Sequence, residues 1–396
     1  MVKSIFARLR LFNPLLFVCM VGLIAIGVLF IYSSCSVREN PKLHLQYMEH
    51  AVAGVLGLGV YAAAAAVNYR RVLKWGWLVY AVVVVLLVLV LVPHIGVERM
   101  GARRWLFGIQ PSEVAKLGII MMLAWLYGRR GEKRGPGVFF LTGALVGVPA
   151  VLILLQPDLG TAMVLVPTVL CMMFAANVSP KLFWAALLAG VAAAGLLLGV
   201  IYATEKVEMP QERREALIKA TCLREHQVRR LQVFLFPDKD LHGSGYNRRQ
   251  SEIAVGSGGA WGKGYLKGEL YMLGYLPPSV SSNDFIFAVL AEEAGFAGSL
   301  TVLLLFLALM WAGLWVAFRC KDDSGRLFCV GVVALMFSHT FINIAMTIGR
   351  MPITGLPLPF ISYGRTFLLT MMAALGLVQS VSMYGREPES RFLNRG

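Results

Sequence analysis

281-SSNDFIFAVLAEEAGF-296 opens like a membrane span, yet it carries three carboxylates, Asp284, Glu292 and Glu293. A charge at bilayer depth costs at least about 2.5 to 3.5 kcal/mol, so ionisable residues there usually have a job. The surrounding chain sets the context. It is 58% hydrophobic and only 15% charged over 396 residues, against about 45–50% and 25% for an ordinary soluble domain. Apolar runs recur at 13–34, 50–68, 74–94, 111–128, 136–155, 159–177, 181–203, 284–318, 327–349 and 364–384. Each is near the length that a hydrocarbon core about 30 Å thick requires. The expected fold is therefore all-α: one polytopic bundle of about ten transmembrane helices spanning 1–396, with a long connection at 204–283 between the seventh and eighth helices. The run at 284–318 is long for one span, and predicts either a tilted helix or a break near Gly295 and Gly298.

The first run follows Lys3, Arg8 and Arg10 and lacks a small-residue cleavage pattern, so it reads as a retained span rather than a signal peptide. The formal charge of +15 does not point to nucleic acid, because the basic residues collect in loops between spans. Their alternation places both termini and the loop containing Lys133 in the cytoplasm, and 204–283 outside. Within that connection, the charged stretch after Thr204 suits an amphipathic helix at the interface. The six cysteines show no metal or disulfide spacing.

Four stretches concentrate polar chemistry. In "GARRWLFGIQPSEVAKLG", Arg103, Arg104 and Trp105 precede a helix start, and Glu113 and Lys116 share one helical face. A structural ion pair with interface anchors explains this, and so does a pyrophosphate site built from guanidiniums and a helix N-terminus. Asp158 in "LLQPDLGTAM" reads first as a helix N-cap. "QSEIAVGSGGAWGKG" lacks the Walker and Rossmann spacings. Its glycines allow either an anion nest with Lys263 or a tight re-entrant turn. In "GRMPITGLPLPFISYGRTF", Pro352, Pro357 and Pro359 interrupt any helix, which at membrane depth requires cover from protein or a water-filled cavity.

Taken together, "RRWLFGIQPSEVAK", "QPDLGTA", "QSEIAVGSGGAWGKG", "NDFIFAVLAEEAGF" and "TGLPLPFISYG" resemble the SEDS family (shape, elongation, division and sporulation), over roughly residues 15–385. The glycine-rich stretch is more similar to the RodA branch than to the FtsW branch. The resemblance implies a polymerase of the inner (cytoplasmic) membrane that joins lipid II disaccharides into glycan strands on the outer face, releasing undecaprenyl pyrophosphate. It implies Asp284 as the catalytic carboxylate, since an aspartate before F-I-F is essential in that family, and a single inverting displacement. Candidate substrate-binding residues are Arg103, Arg104, Trp105, Glu113, Lys116, Gln250, Ser257 and Lys263. Glu292 and Glu293, about two helical turns past Asp284, are expected to satisfy polar groups inside the bundle, near His339 or the Glu113–Lys116 pair. The implied partners are a class B penicillin-binding protein and other membrane proteins of the elongation complex. No cofactor is certain, although Asp284 with substrate oxygens could engage Mg²⁺ or Mn²⁺. Asn283 and Arg365 depart from the family pattern. Two rivals remain open: a lipid II flippase or other transporter, and a non-enzymatic scaffold.

Overall fold

The computed structural model describes residues 11–36, 41–93, 95–99, 102–106, 108–130, 134–207, 210–221, 225–236, 243–269 and 281–386. All ten apolar runs lie on helices. The first half holds α1 (Pro14–Cys35), α2 (Pro41–Ala66), the short α3 (Tyr69–Lys74) and α4 (Gly76–Leu91), then α5 (Pro111–Arg130), α6 (Pro136–Leu155) and α7 (Leu159–Ala175). After α8 (Pro180–Lys206), the connection folds as α9 (Gln211–Ala220), α10 (Glu225–Leu235) and α11 (Ser244–Ser257). The long helices α12 (Ile286–Arg319), α13 (Asp323–Thr347) and α14 (Arg365–Tyr384) complete the bundle. A two-stranded antiparallel hairpin, β1 (Val97–Arg99) and β2 (Ala102–Trp105), precedes α5. The single amphipathic helix expected after Thr204 is instead two, α9 and α10, and α8 itself runs on to Lys206.

Among the described residues, seven helices are long and apolar enough to cross a membrane, while α4 and α7 are apolar but shorter. This is a multi-pass membrane protein. Its core is the α13–α14 pair, with 78% of the most apolar window of each buried, and α2 packs along α14. Helix α8 is the opposite case: Trp184, Leu188, Val191 and Leu196 are exposed, as suits a lipid-facing surface.

One end of the bundle is tied by basic residues. Arg70 on α3 pairs with Asp322 at 2.9 Å, and Asp322 caps α13 through the Gly325 amide. Arg134, just before α6, pairs with Asp323 and donates to the Ala176 carbonyl at 2.8 Å. The Lys321 amide donates to the Gly385 carbonyl at 2.9 Å. The ends of α2, α5, α7, α12 and α14 thus meet on the side away from Asp284.

Helix α12 breaks at Gly295 (φ 65°, ψ −162°), one of the two places the sequence allowed. The glycine-rich turn after α11 repairs the break. The amides of Lys263 and Gly264 donate to the carbonyls of Glu292 and Glu293, both at 3.0 Å. In return, the Phe296 and Ala297 amides donate to the Gly259 and Ala260 carbonyls at 2.9 and 3.0 Å. Backbone approaches so closely that a Cβ on Gly262 would collide with the Glu293 carbonyl. A helix broken at membrane depth needs every exposed backbone group satisfied by protein, and this turn supplies the partners.

Candidate active site

Asp284 sits in the turn before α12. The cap of that helix is Phe285 and carries no side-chain cap bond, so Asp284 is not an N-cap. Its main-chain carbonyl accepts from Asn343 Nδ2 of α13 at 2.8 Å, and the same amide donates to the Leu356 carbonyl at 2.7 Å. One buried asparagine therefore fixes both the Asp284 turn and the proline-rich strap at 352–364. Gly355 of the strap, at φ 74°, lies beside the carboxylate, where a methyl group would stand 3.4 Å from Asp284 Oδ2. The carboxylate itself makes no hydrogen bond among the described residues.

Two guanidiniums face this carboxylate electrostatically, Arg230 of α10 and Arg104 of β2. Surrounding protein pushes the Asp284 carboxyl up to about 6, while Arg230 and Arg104 pull in the other direction. Desolvation therefore outweighs two positive neighbours. Burial pushes the Arg230 guanidinium down, opposed by Asp284 and Asp158. Arg230 donates through Nη1 to the Thr354 carbonyl of the strap at 3.2 Å. Arg104 is more committed: Nε donates to the Gln156 carbonyl at 3.1 Å, Nη2 donates to the Pro157 carbonyl, and Nη1 stands 3.9 Å from Asp158. Asp158 is the N-cap of α7, accepting from the Thr161 amide at 3.1 Å, and also accepts from Ser112 at 3.2 Å and Gln110 at 3.3 Å. It joins the starts of α5 and α7 to the hairpin.

The other candidates divide. Lys116 is almost fully enclosed, its ammonium 2.7 Å from Glu113 and 2.9 Å from His339 Nε2, over the ring of Phe367. This is a buried polar cluster behind the Asp284 turn, since His339 Nδ1 contacts the Pro357 carbonyl of the strap at 3.2 Å. Arg103 pairs in register with Glu98, while its side chain lies outside the described residues. Trp105, half-buried, ends β2. Gln250 is half-buried on α11, and the Ser257 hydroxyl turns back onto the Ala254 carbonyl at 3.0 Å.

Three expectations change. Lys263 is not grouped with Asp284: it binds Glu292 at 2.8 Å and Glu269 at 3.2 Å. The amides of Lys263 and Gly264 are spent on α12 carbonyls, so the re-entrant-turn reading of this stretch replaces the anion nest. Glu292 and Glu293 do not meet His339 or the Glu113–Lys116 pair. Glu292 takes Lys263 and the Glu269 amide, and Glu293 accepts from Ser33 of α1. Arg365 lies 3.8 Å from Glu49 of α2, which also accepts from the Tyr363 hydroxyl, so this departure joins α14 to α2. Arg230 was not singled out by sequence. Its only signal was membership of an amphipathic charged segment, and the fold alone brings it to the carboxylate 54 positions later.

The sequence model of the FtsW/RodA/SpoVE family, described as "Cell cycle protein", matches residues 13–387. The chain belongs to that family. It is 32% identical over 367 residues to the peptidoglycan glycosyltransferase MrdB of Escherichia coli (strain K12), covering 91% of this chain and 92% of MrdB. It is also 32% identical over 431 residues to the peptidoglycan glycosyltransferase RodA of Treponema pallidum (strain Nichols), covering 94% and 97%. Among solved structures, a chain from a peptidoglycan synthase complex described as coordinating polymerization and crosslinking superposes with a TM-score of 0.73 at 28% identity, covering 94% of this chain and 98% of that one.

Proposed function

We propose that this SEDS protein is a peptidoglycan glycosyltransferase of the RodA type, polymerising lipid II at the outer face of the cytoplasmic membrane for cell elongation, with Asp284 as its general base. The relatives' activities, close to full-length similarity and the shared fold support the reaction class. The observation that carries the residue assignment is a carboxylate held by its main chain, unbonded at its oxygens among the described residues and faced by Arg230 and Arg104.

In the proposed step, Asp284 takes the proton from an acceptor sugar hydroxyl as that oxygen attacks the donor anomeric carbon. The bond from that carbon to the pyrophosphate oxygen breaks, and its electron pair leaves with undecaprenyl pyrophosphate. One base and one displacement invert the anomeric centre. A carboxylate that titrates near 6 is ionised at neutral pH and still basic enough to act. Arg230, with donors beyond the one given to Thr354, and Arg104 offset the developing pyrophosphate charge. The described residues contain no group of three or more His, Cys, Asp or Glu that could hold a metal. A divalent cation would therefore be held by Asp284 together with substrate oxygens.

The basic end of the bundle faces the cytoplasm in this reading, by the positive-inside rule, and places Asp284 outside. A class B penicillin-binding protein is the proposed partner, consistent with the crosslinking complex that the fold matches. The test is to incubate the purified protein and its cognate partner with labelled lipid II and resolve the products. Wild type should make polymer, and D284N should make at least about 100-fold less while still binding lipid II. Polymer from D284N at the wild-type rate would reject Asp284 as the base. Movement of lipid II without polymer would favour a carrier.

A further inference from the structure

The proline-rich strap contains a strained residue whose support comes from α2. Phe360 has φ 65°, the left-handed region, although it is not glycine. Such a residue is strained and persists where its surroundings hold it. Its carbonyl is held by His50 of α2, fully buried, with Nε2 at 3.1 Å. A carbonyl only accepts, so Nε2 carries the proton. Nδ1 has no hydrogen-bond partner among the described residues, and leaving a buried acceptor unpaired is unfavourable. Among the described residues the imidazole thus makes a single hydrogen bond, and it goes to the strained residue. On the other side, Gly27 of α1 lets the strap approach: a Cβ there would stand 2.8 Å from the Phe360 carbonyl oxygen and the Ile361 Cα.

The strap passes this constraint directly to the Asp284 turn. Two residues after Phe360, the Ser362 hydroxyl donates to the Asn283 carbonyl at 2.6 Å and accepts from the Leu358 amide at 2.7 Å. The next amide, Tyr363, donates to the Ser282 carbonyl at 3.0 Å. Ser282 and Asn283 immediately precede Asp284. We infer that His50 is a positioning residue for Asp284: by holding the Phe360 carbonyl it sets the strap, and the strap sets the turn that aims the carboxylate. This inference rests on Asp284 being the base.

The test compares H50L, H50Q and H50N with D284N in the labelled lipid II assay, with lipid II binding measured alongside. H50L keeps bulk but removes the donor. Its kcat should fall about tenfold to a hundredfold, with KM and lipid II binding within about twofold. H50Q, whose side-chain amide reaches about as far as Nε2 and can donate, should recover to within about threefold of wild type, whereas the shorter H50N should not. If H50L fails to fold, the H50Q and H50N pair carries the comparison. Wild-type kcat in H50L or H50N while D284N is inactive would overturn the inference alone. Equal loss in H50Q and H50N would also overturn it, since ring shape rather than the donor would then matter. An active D284N would overturn the base assignment, and this inference with it.

Discussion

Replacing Arg230 with glutamine separates an electrostatic role from a merely structural one. In the folded protein the Asp284 carboxyl titrates at about 6, raised by burial and held down by Arg230 and Arg104. Removing one opposite charge that acts on a buried carboxyl moves it upward by about one unit. If Asp284 must be ionised to act, the acid limb of kcat/KM should then move from near 6 to near 7. With the limb at about 6, roughly half of the carboxyl is ionised at pH 6 and nine-tenths at pH 7. After R230Q those fractions become about one-tenth and one-half. The variant should therefore lose roughly fivefold more at pH 6 than at pH 8. Any lost pyrophosphate contact would add a pH-independent factor. The assay is polymerisation of labelled lipid II across about pH 5 to 8.5 at constant ionic strength. An unchanged limb, or one moving downward, would refute the coupling of Arg230 to the base.

The same raised carboxyl has a stability consequence. Folding favours its neutral form, so stability falls as pH rises from the unfolded value of 3.8 toward the folded value of about 6. D284N should therefore raise the thermal midpoint in detergent at pH 7.5, by an effect worth at most about 3 kcal/mol, and show little gain at pH 4; a lower midpoint at pH 7.5 would contradict the burial argument. G262A should destabilise the protein and expose the α12 kink to faster amide exchange at Phe296 and Ala297, because the new methyl meets the Glu293 carbonyl; unchanged exchange would mean that the turn does not splint the kink. A cysteine at Lys133 should resist impermeant thiol reagents in intact cells, and ready labelling would reverse the proposed orientation.

Hydrophobic length made the helices legible before any coordinates, because a bilayer imposes one span length on every crossing. The break in α12 was legible as a pair of glycines, but its repair was not. The Gly-rich stretch lies 29 residues before the carbonyls it caps, and local sequence says nothing of which backbone groups a distant turn will meet. The same stretch therefore read as a possible nest. Asp284 was visible because a carboxylate at a span boundary is costly. Arg230 was not, because a guanidinium among other charges on an amphipathic helix carries no such penalty until the fold brings it near Asp284.

Two lysines show how burial sorts charges that sequence treats alike. Lys116 and Lys263 each follow a polar motif and each satisfies an acid, at 2.7 Å and 2.8 Å. Lys116 is sealed against Glu113 and His339, and His339 reaches the Pro357 carbonyl of the strap. Lys263 is partly exposed and neutralises Glu292 beside the α12 kink, about two helical turns further along. Removing either lysine leaves a buried carboxylate without its cation, a loss of about 3–5 kcal/mol. A fall in activity in such a variant is therefore not by itself evidence of substrate contact. Arg230 differs because its charge acts on Asp284 itself, and a change in that charge is read in the titration of the base.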